Sequence, residues 1–256
     1  MGLTETEALV LRTYNLAEAD KIVVCLTRNA GLVRGVAKGS RRLKNRFGAA
    51  LEPFTLLQLT YYQKENQELA SLRNVDIIKS HFGLFRDPHV LPALAYMGDL
   101  LLEFSPPHQT NDKLFRMVTA SLEALSQTPQ YLQSILRYFE IWILRLEGFL
   151  PDLRNCADCQ RPLSIQETVQ VNRELGLLCR SCAQGKGEVL SKGAYARLCA
   201  SQKESPVLFA QQSQGTSAQI QGEIAELTNR MIGRVLERRP RIQPMYHLSP
   251  ELGPKI

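Results

Sequence analysis

The chain has 256 residues, 44% of them apolar and 22% charged, with a formal net charge of +6. That balance is ordinary for a folded protein and excludes a chain too polar to build a core. No apolar stretch approaches the roughly 20 residues that span a bilayer, so no membrane partner is expected, and the length allows two or three small domains.

The first part of the chain reads as β-rich. Residues 8–14 alternate and carry β-branched and aromatic side chains, and residues 21–27 are apolar on both faces, as in a buried strand. Asn29-Ala-Gly31 makes a turn, and residues 31–38 form the next strand. Its period of two places Leu32, Arg34, Val36 and Lys38 on one face and Val33, Gly35 and Ala37 on the other. Residues 54–62 and 69–78, separated by a turn near Glu65-Asn66, complete five strands. Such a set fits a small barrel of the oligonucleotide-binding (OB) type or another small barrel such as an SH3-like one; spacing alone does not separate them.

Between Lys21 and Leu51 there are eight cations and no Asp or Glu. Most fall in Arg34-Gly-Val-Ala-Lys38-Gly-Ser-Arg41-Arg42-Leu-Lys44-Asn-Arg46, which runs from the third strand into a Gly/Ser-containing loop. Like charges in a confined run repel one another unless an anion meets them, and a phosphate backbone is the commonest anion of matching shape. The plainer alternative is a solvated basic loop. Phe47, Phe54, Tyr61 and Tyr62 either offer stacking faces to bases or fill the barrel core.

From about residue 84 the period becomes helical. Asp87-Pro88 resembles an N-cap with Pro following, and Leu91, Leu94, Gly98, Leu101 and Leu102 share a face, with Pro92 expected to delay the helix start by a turn. Leu114, Val118, Leu122 and Leu125 follow Asn111-Asp112. Thr128-Pro129 opens a third helix, which Gly148 ends in a left-handed conformation. A last helix carries Ile220, Ile224, Leu227, Met231 and Val235, stops at Pro240, and is expected to pack on the earlier ones. Residues 201–216, rich in Gln and Ser, read as a loose connection. The basic cluster Arg234, Arg238, Arg239 and Arg241 either extends the cationic track or answers the helix macrodipole.

Cys156-Ala-Asp-Cys159 and Cys179-Arg-Ser-Cys182 form a Cys-x2-Cys-x19-Cys-x2-Cys spacing. Two tight pairs let four sulfurs reach one ion, so one structural zinc per chain is expected, with residues 167–172 supplying a short hairpin between the knuckles. Four thiolates leave no open position for a substrate. The alternatives are four metal-free thiols or local disulfides. Cys25 and Cys199 stand apart and read as small buried apolar residues. The N-terminal Met-Gly-Leu-Thr-Glu-Thr has no basic and apolar signal region, and with the paired thiols this predicts a cytoplasmic protein. The sequence has no P-loop, dinucleotide fingerprint, zinc-protease motif or nucleophile elbow, and no clustered carboxylates for Mg²⁺. No enzymatic activity is expected.

Taken in order, these features resemble the bacterial RecO family of DNA repair proteins. Leu32-Val-Arg-Gly-Val-Ala-Lys-Gly-Ser-Arg-Arg42 resembles the family's strand and basic loop, and Gly48-Ala-Ala-Leu-Glu-Pro-Phe54 the entry to its fourth strand. Glu147-Gly-Phe-Leu-Pro-Asp-Leu-Arg-Asn-Cys-Ala-Asp-Cys159 and Gly176-Leu-Leu-Cys-Arg-Ser-Cys182 resemble its two zinc knuckles. The resemblance implies an α+β multidomain fold: an OB barrel at 1–80, a helical domain beginning at 81–150, an inserted four-cysteine zinc element at 151–190, and C-terminal helices at 191–256 that pack back on the helical domain. It implies binding of single- and double-stranded DNA, annealing of complementary strands, and a mediator role in which RecR is a partner, RecA is served indirectly, and the tail of single-stranded DNA-binding protein (SSB) is contacted. It places the protein at the nucleoid. Family DNA contacts carry over to Lys38 and Arg42, with Arg34, Arg41, Lys44 and Arg46 as neighbours. The zinc ligands carry over to Cys156, Cys159, Cys179 and Cys182. Two other classes compete: a zinc-stabilised protein–protein adaptor with an incidental basic loop, and a metal-dependent nuclease.

Overall fold

The computed structural model describes residues 2–64, 67–107, 109–185 and 187–237. The turn expected at Glu65-Asn66, the stop at Pro240 and the cations Arg238, Arg239 and Arg241 lie outside them.

Five strands, β1 (Gly2–Leu16), β2 (Asp20–Thr27), β3 (Gly31–Ala37), β4 (Thr55–Gln63) and β5 (Ala70–Ser80), close into a barrel in the order β1-β2-β3-β5-β4. Neighbours are antiparallel except β3 and β5, which run parallel where Gly35 meets Ala70 and Val36 meets Ser71. That crossover makes the path an OB-type barrel rather than a plain meander. Gly35 permits the closure, because a Cβ there would lie 2.4 Å from Leu72 Cδ2. Between β3 and β4 a short 3-10 turn, Gly48–Leu51, inserts Ala50 and Leu51 into the barrel interior.

Strands β1 to β3 present apolar side chains to two separate partners. Ala8 and Val10 of β1, Val23 and Cys25 of β2, and Val33 and Ala37 of β3 line the barrel. Leu9, Leu11, Val24, Leu26 and Leu32 point the other way, into the core shared with the helices. The face that carries Arg34 and Lys38 is therefore divided: Leu32 is covered by helices, while the two cations remain in solvent. Polar contacts reinforce the junction. Arg28 Nε donates to Asp112 Oδ1 at 2.7 Å, and Arg12–Asp99 and Lys79–Glu123 form further ion pairs.

The helices are α1 (Val90–Phe104), α2 (Asp112–Gln127) and α3 (Leu132–Leu146), followed after the cysteine element by α5 (Lys192–Ala200), α6 (Pro206–Ser213) and α7 (Ala218–Val235). The element itself holds β6 (Val169–Val171), β7 (Leu177–Leu178), the short α4 (Arg180–Ala183) and β8 (Glu188–Leu190), with β6 in the centre of its sheet. Helix α1 begins at Val90, capped by His89 rather than Asp87, whose side chain accepts from the His89 N–H at 2.8 Å. Pro92 does not delay the start: it lies in the first turn, where its missing N–H has no helical acceptor to lose. Leu91 is exposed, and the buried face instead centres on Leu94, Met97 and Leu101. Thr128-Pro129 opens a 3-10 turn, Pro129–Tyr131, before α3 begins, and Gly148 takes φ +80° as expected.

Helix α7 packs on α3 through a buried polar link: Arg137 and Glu140 pair within α3, and Thr228 of α7 donates to Glu140 at 2.6 Å. Residues 201–216 correct the expectation of a loose connection. They contain α6, capped by Ser205 with Pro206 at its first position, and Phe209 and Ala210 are buried. Among the described residues no helix is long and apolar enough to cross a membrane.

Candidate nucleic-acid interface and metal centre

The basic loop leaves β3 at Ala37 and returns through the 3-10 turn. It is braced at both ends. The Gly39 N–H donates to Asp20 Oδ1 at 2.7 Å, and the Arg41 N–H to Ala19 O at 3.0 Å. On the return side Asn45 Nδ2 donates to Arg42 O at 2.9 Å, while Asn45 Oδ1 accepts from the N–H groups of Phe47 and Gly48 at 2.9 and 2.8 Å. This is the short-range backbone capture typical of asparagine at turns.

Lys38, Arg41, Arg42, Lys44 and Arg46 are all exposed. Among the described residues none of them forms an ion pair. Arg34 faces Glu68 at 3.6 Å, a loose and exposed contact. Arg41 donates to Ala17 O at 3.1 Å and Arg46 to Leu72 O at 3.3 Å, which fixes their directions without neutralising them. The structure thus places all six sequence-identified cations on one strand end and loop. Three other cations of the barrel, Arg12, Arg28 and Lys79, are answered by helix carboxylates.

Of the four candidate stacking aromatics, Phe47, Phe54 and Tyr61 are buried, so the core role wins for them; Tyr62 is half-buried. The Arg46 guanidinium lies over the Phe47 ring at 4.9 Å, so that ring's outer face is already covered. Cys25, as expected, is a buried strand residue, its thiol pushed up to about 12 by burial; Cys199 is only half-buried on α5.

The ligand sulfurs of Cys156, Cys159, Cys179 and Cys182 lie within 4.8 Å of one another. A tetrahedron with metal–sulfur bonds of about 2.3 Å has edges of about 3.8 Å, and Cys159 Sγ to Cys179 Sγ is 3.9 Å. The backbone supports the cluster, with the Cys179 N–H directed at Cys156 Sγ at 3.3 Å. Hydrogen bonds to the sulfurs of Cys159 and Cys179 push the Cys182 thiol up, while the Cys182 N–H and Arg161 draw Cys179 down. Arg161, paired with Glu167 at 2.8 Å, is a neighbour that spacing did not reveal. The donor set fits one thiophilic ion with no open coordination position.

The molecule is an α+β protein built on an OB-type barrel, with a helical body and a four-cysteine cluster. Its residues 1–81 match the family model "Recombination protein O N terminal" and residues 86–242 match "Recombination protein O C terminal". Curated relatives of the chain include several that bear the name DNA repair protein RecO. That of Geobacter metallireducens is 34% identical over 215 residues, 83% of this chain and 87% of the relative. That of Anaeromyxobacter sp. (strain K) is 34% identical over 194 residues, 76% of each. That of Koribacter versatilis is 38% identical over 161 residues, 63% of this chain and 65% of the relative. The chain belongs to the RecO family. Membership supports a role in DNA repair and recombination.

Proposed function

We propose that this protein is a non-enzymatic DNA-binding and strand-annealing protein that acts as a recombination mediator. The observation that carries the reading is the braced loop with five exposed cations that form no ion pair among the described residues. Annealing two polyanions needs no bond-making group. It needs a surface that lowers their mutual repulsion, and Lys and Arg do this by displacing condensed counterions, whose release drives binding. Lys38 and Arg42 are the principal phosphate contacts, flanked by Arg34, Arg41, Lys44 and Arg46.

The four sulfurs hold one structural Zn²⁺, which ties the knuckles at Cys156–Cys159 and Cys179–Cys182 and takes no part in chemistry. The chain divides into the barrel at 1–80, helices at 81–150, the zinc element at 151–190 and returning helices at 191–256. In this reading the protein works in the cytoplasm at the nucleoid. With RecR, and through the SSB tail, it loads RecA on SSB-coated single strands.

Fluorescence anisotropy against salt tests the electrostatic core of this reading. With about five phosphate contacts on a single strand, log K falls against log salt with a slope of roughly −3 to −4; a slope near zero contradicts it. Annealing of SSB-coated complementary strands tests the mediator role, because an adaptor with an incidental loop does not accelerate it. Turnover of labelled DNA with Mg²⁺, abolished by one carboxylate substitution, would point to a nuclease instead.

A further inference from the structure

Leu43 stands in the basic loop with its side chain wholly in solvent. Its exposure is 106%, and that of Leu3, the next among the exposed large apolar residues described, is 68%. A single exposed leucine is ordinary on a protein surface. Two features set this one apart. Its neighbours Arg41, Arg42, Lys44 and Arg46 are exposed and make no ion pair among the described residues. The backbone on both sides of it is held, by Asp20 and Ala19 before and by Asn45 after, so the side chain is presented rather than left to collapse onto the barrel.

We propose that Leu43 is an apolar wedge that inserts between adjacent bases of the bound DNA strand, while the surrounding cations hold the phosphates on either side. The inference rests on the DNA-binding reading above and deepens it. An isobutyl group in water gains by entering an apolar environment, and the apolar environment inside a polyanion is the base stack. Apolar side chains that enter base steps separate the stacked faces and open the local backbone. The consequence suits annealing: a strand held by its phosphates and interrupted in its stacking presents its pairing edges to a second strand. None of the buried aromatics provides such a group, since Phe47, Phe54 and Tyr61 are in the core.

The test uses the whole 256-residue chain as purified and a mixed-sequence single-stranded oligodeoxynucleotide carrying one 2-aminopurine, whose fluorescence rises on unstacking. The wild type is expected to brighten the probe on binding. Leu43→Ser is expected to lose most of that rise and to bind about three- to tenfold more weakly at fixed salt, with the salt slope unchanged because every cation remains. Leu43→Phe keeps the rise. A full rise in Leu43→Ser overturns the wedge, while a retained slope leaves the cationic interface standing. A wild-type slope near zero removes that interface and the wedge with it. Leu43-dependent binding to anionic phosphatidylglycerol vesicles without any aminopurine response assigns the residue to a lipid surface and likewise overturns the proposal.

Discussion

The barrel and the four-cysteine element are both small β structures, but they are held together by different means. The barrel strands are seven to fifteen residues long and enclose their own apolar interior, from Ala8 and Val10 to Leu72 and Val75. The strands of the element have two or three residues, and its apolar side chains, Leu163, Val169, Val171 and Leu177, join the helical core instead of closing one of their own. A structure that closes on itself needs no ion to hold its shape, so its outer charges are free to serve a ligand. A structure with no interior of its own needs another tie, and here four sulfurs lie close enough together to share one ion.

The largest expected effect breaks the element and spares the barrel. Structural zinc in small modules carries an apparent binding free energy of about 10–16 kcal/mol, most of it folding free energy. Chelation, or Cys156→Ser with Cys179→Ser, should therefore abolish amide protection in β6 and β7 while leaving protection in β2 intact. Elemental analysis of the purified protein should find zinc; a zinc-free protein with a protected β6 would end the contrast.

Next in size is the charge reversal Lys38→Glu with Arg42→Glu. Each lost phosphate contact flattens the single-strand salt slope by about 0.7, and the pair should lower affinity on the order of ten- to a hundredfold near physiological salt. The thermal midpoint should hardly move, because neither side chain supports the fold. A large drop in midpoint with an unchanged slope would mean that the loop is a structural part of the barrel.

Arg28→Glu should do the reverse. Arg28 pairs with Glu7 within the barrel and with Asp112 across the barrel–helix junction, and both carboxylates draw its pKa upward. Its reversal should lower the melting temperature measurably and leave the salt slope in place; a flattened slope would extend the DNA surface onto the junction.

The smallest effect is a pH dependence. His81 is buried, its Nδ1 lies 2.9 Å from the Phe54 carbonyl, and its Nε2 has no partner among the described residues. The carbonyl fixes the proton on Nδ1, so protonating Nε2 places a charge in the core. Burial holds the group below the usual histidine range; the Phe54 carbonyl acts in the opposite direction, and Lys79 adds a further lowering that Glu123 opposes. The unfolded chain titrates near about 6.5 and so binds more protons than the folded one in the window below that value. Stability should rise with pH across this window and fall as the solution is acidified from neutrality. Melting curves of the wild type and His81→Gln check it, since equal pH slopes in the two would exclude His81 as the source.

Much of this was legible in the residues because the signals were local. Alternation and short apolar runs located the strands, the Cys-x-x-Cys pairs located the four-sulfur cluster, and the absence of acids in residues 29–51 marked the loop. Helix α6 was not legible, for a physical reason. It lacks a long apolar stripe and folds instead around a buried cation: Arg197 donates to Glu204, Gln212, Ser213 and the Phe209 carbonyl, and lies over the Phe209 ring at 4.4 Å. A segment rich in Gln and Ser that wraps an arginine looks like a loop to any hydrophobic count. The Ser205-Pro206 cap was the one signal available.

Chemistry and spacing along the chain determined which groups this protein has at its disposal: a run of unopposed cations, four sulfurs in two tight pairs, and strands able to form a small barrel. Charge, thiol and backbone preference are properties of each residue and its near neighbours, so they survive in one dimension. Only the packed molecule decided which cations are spoken for, which aromatics are hidden, and that Leu43 is held in water among positive charges. Those outcomes depend on what lies opposite each side chain, and the residues that come to lie opposite are distant in sequence, as Arg28 and Asp112 are.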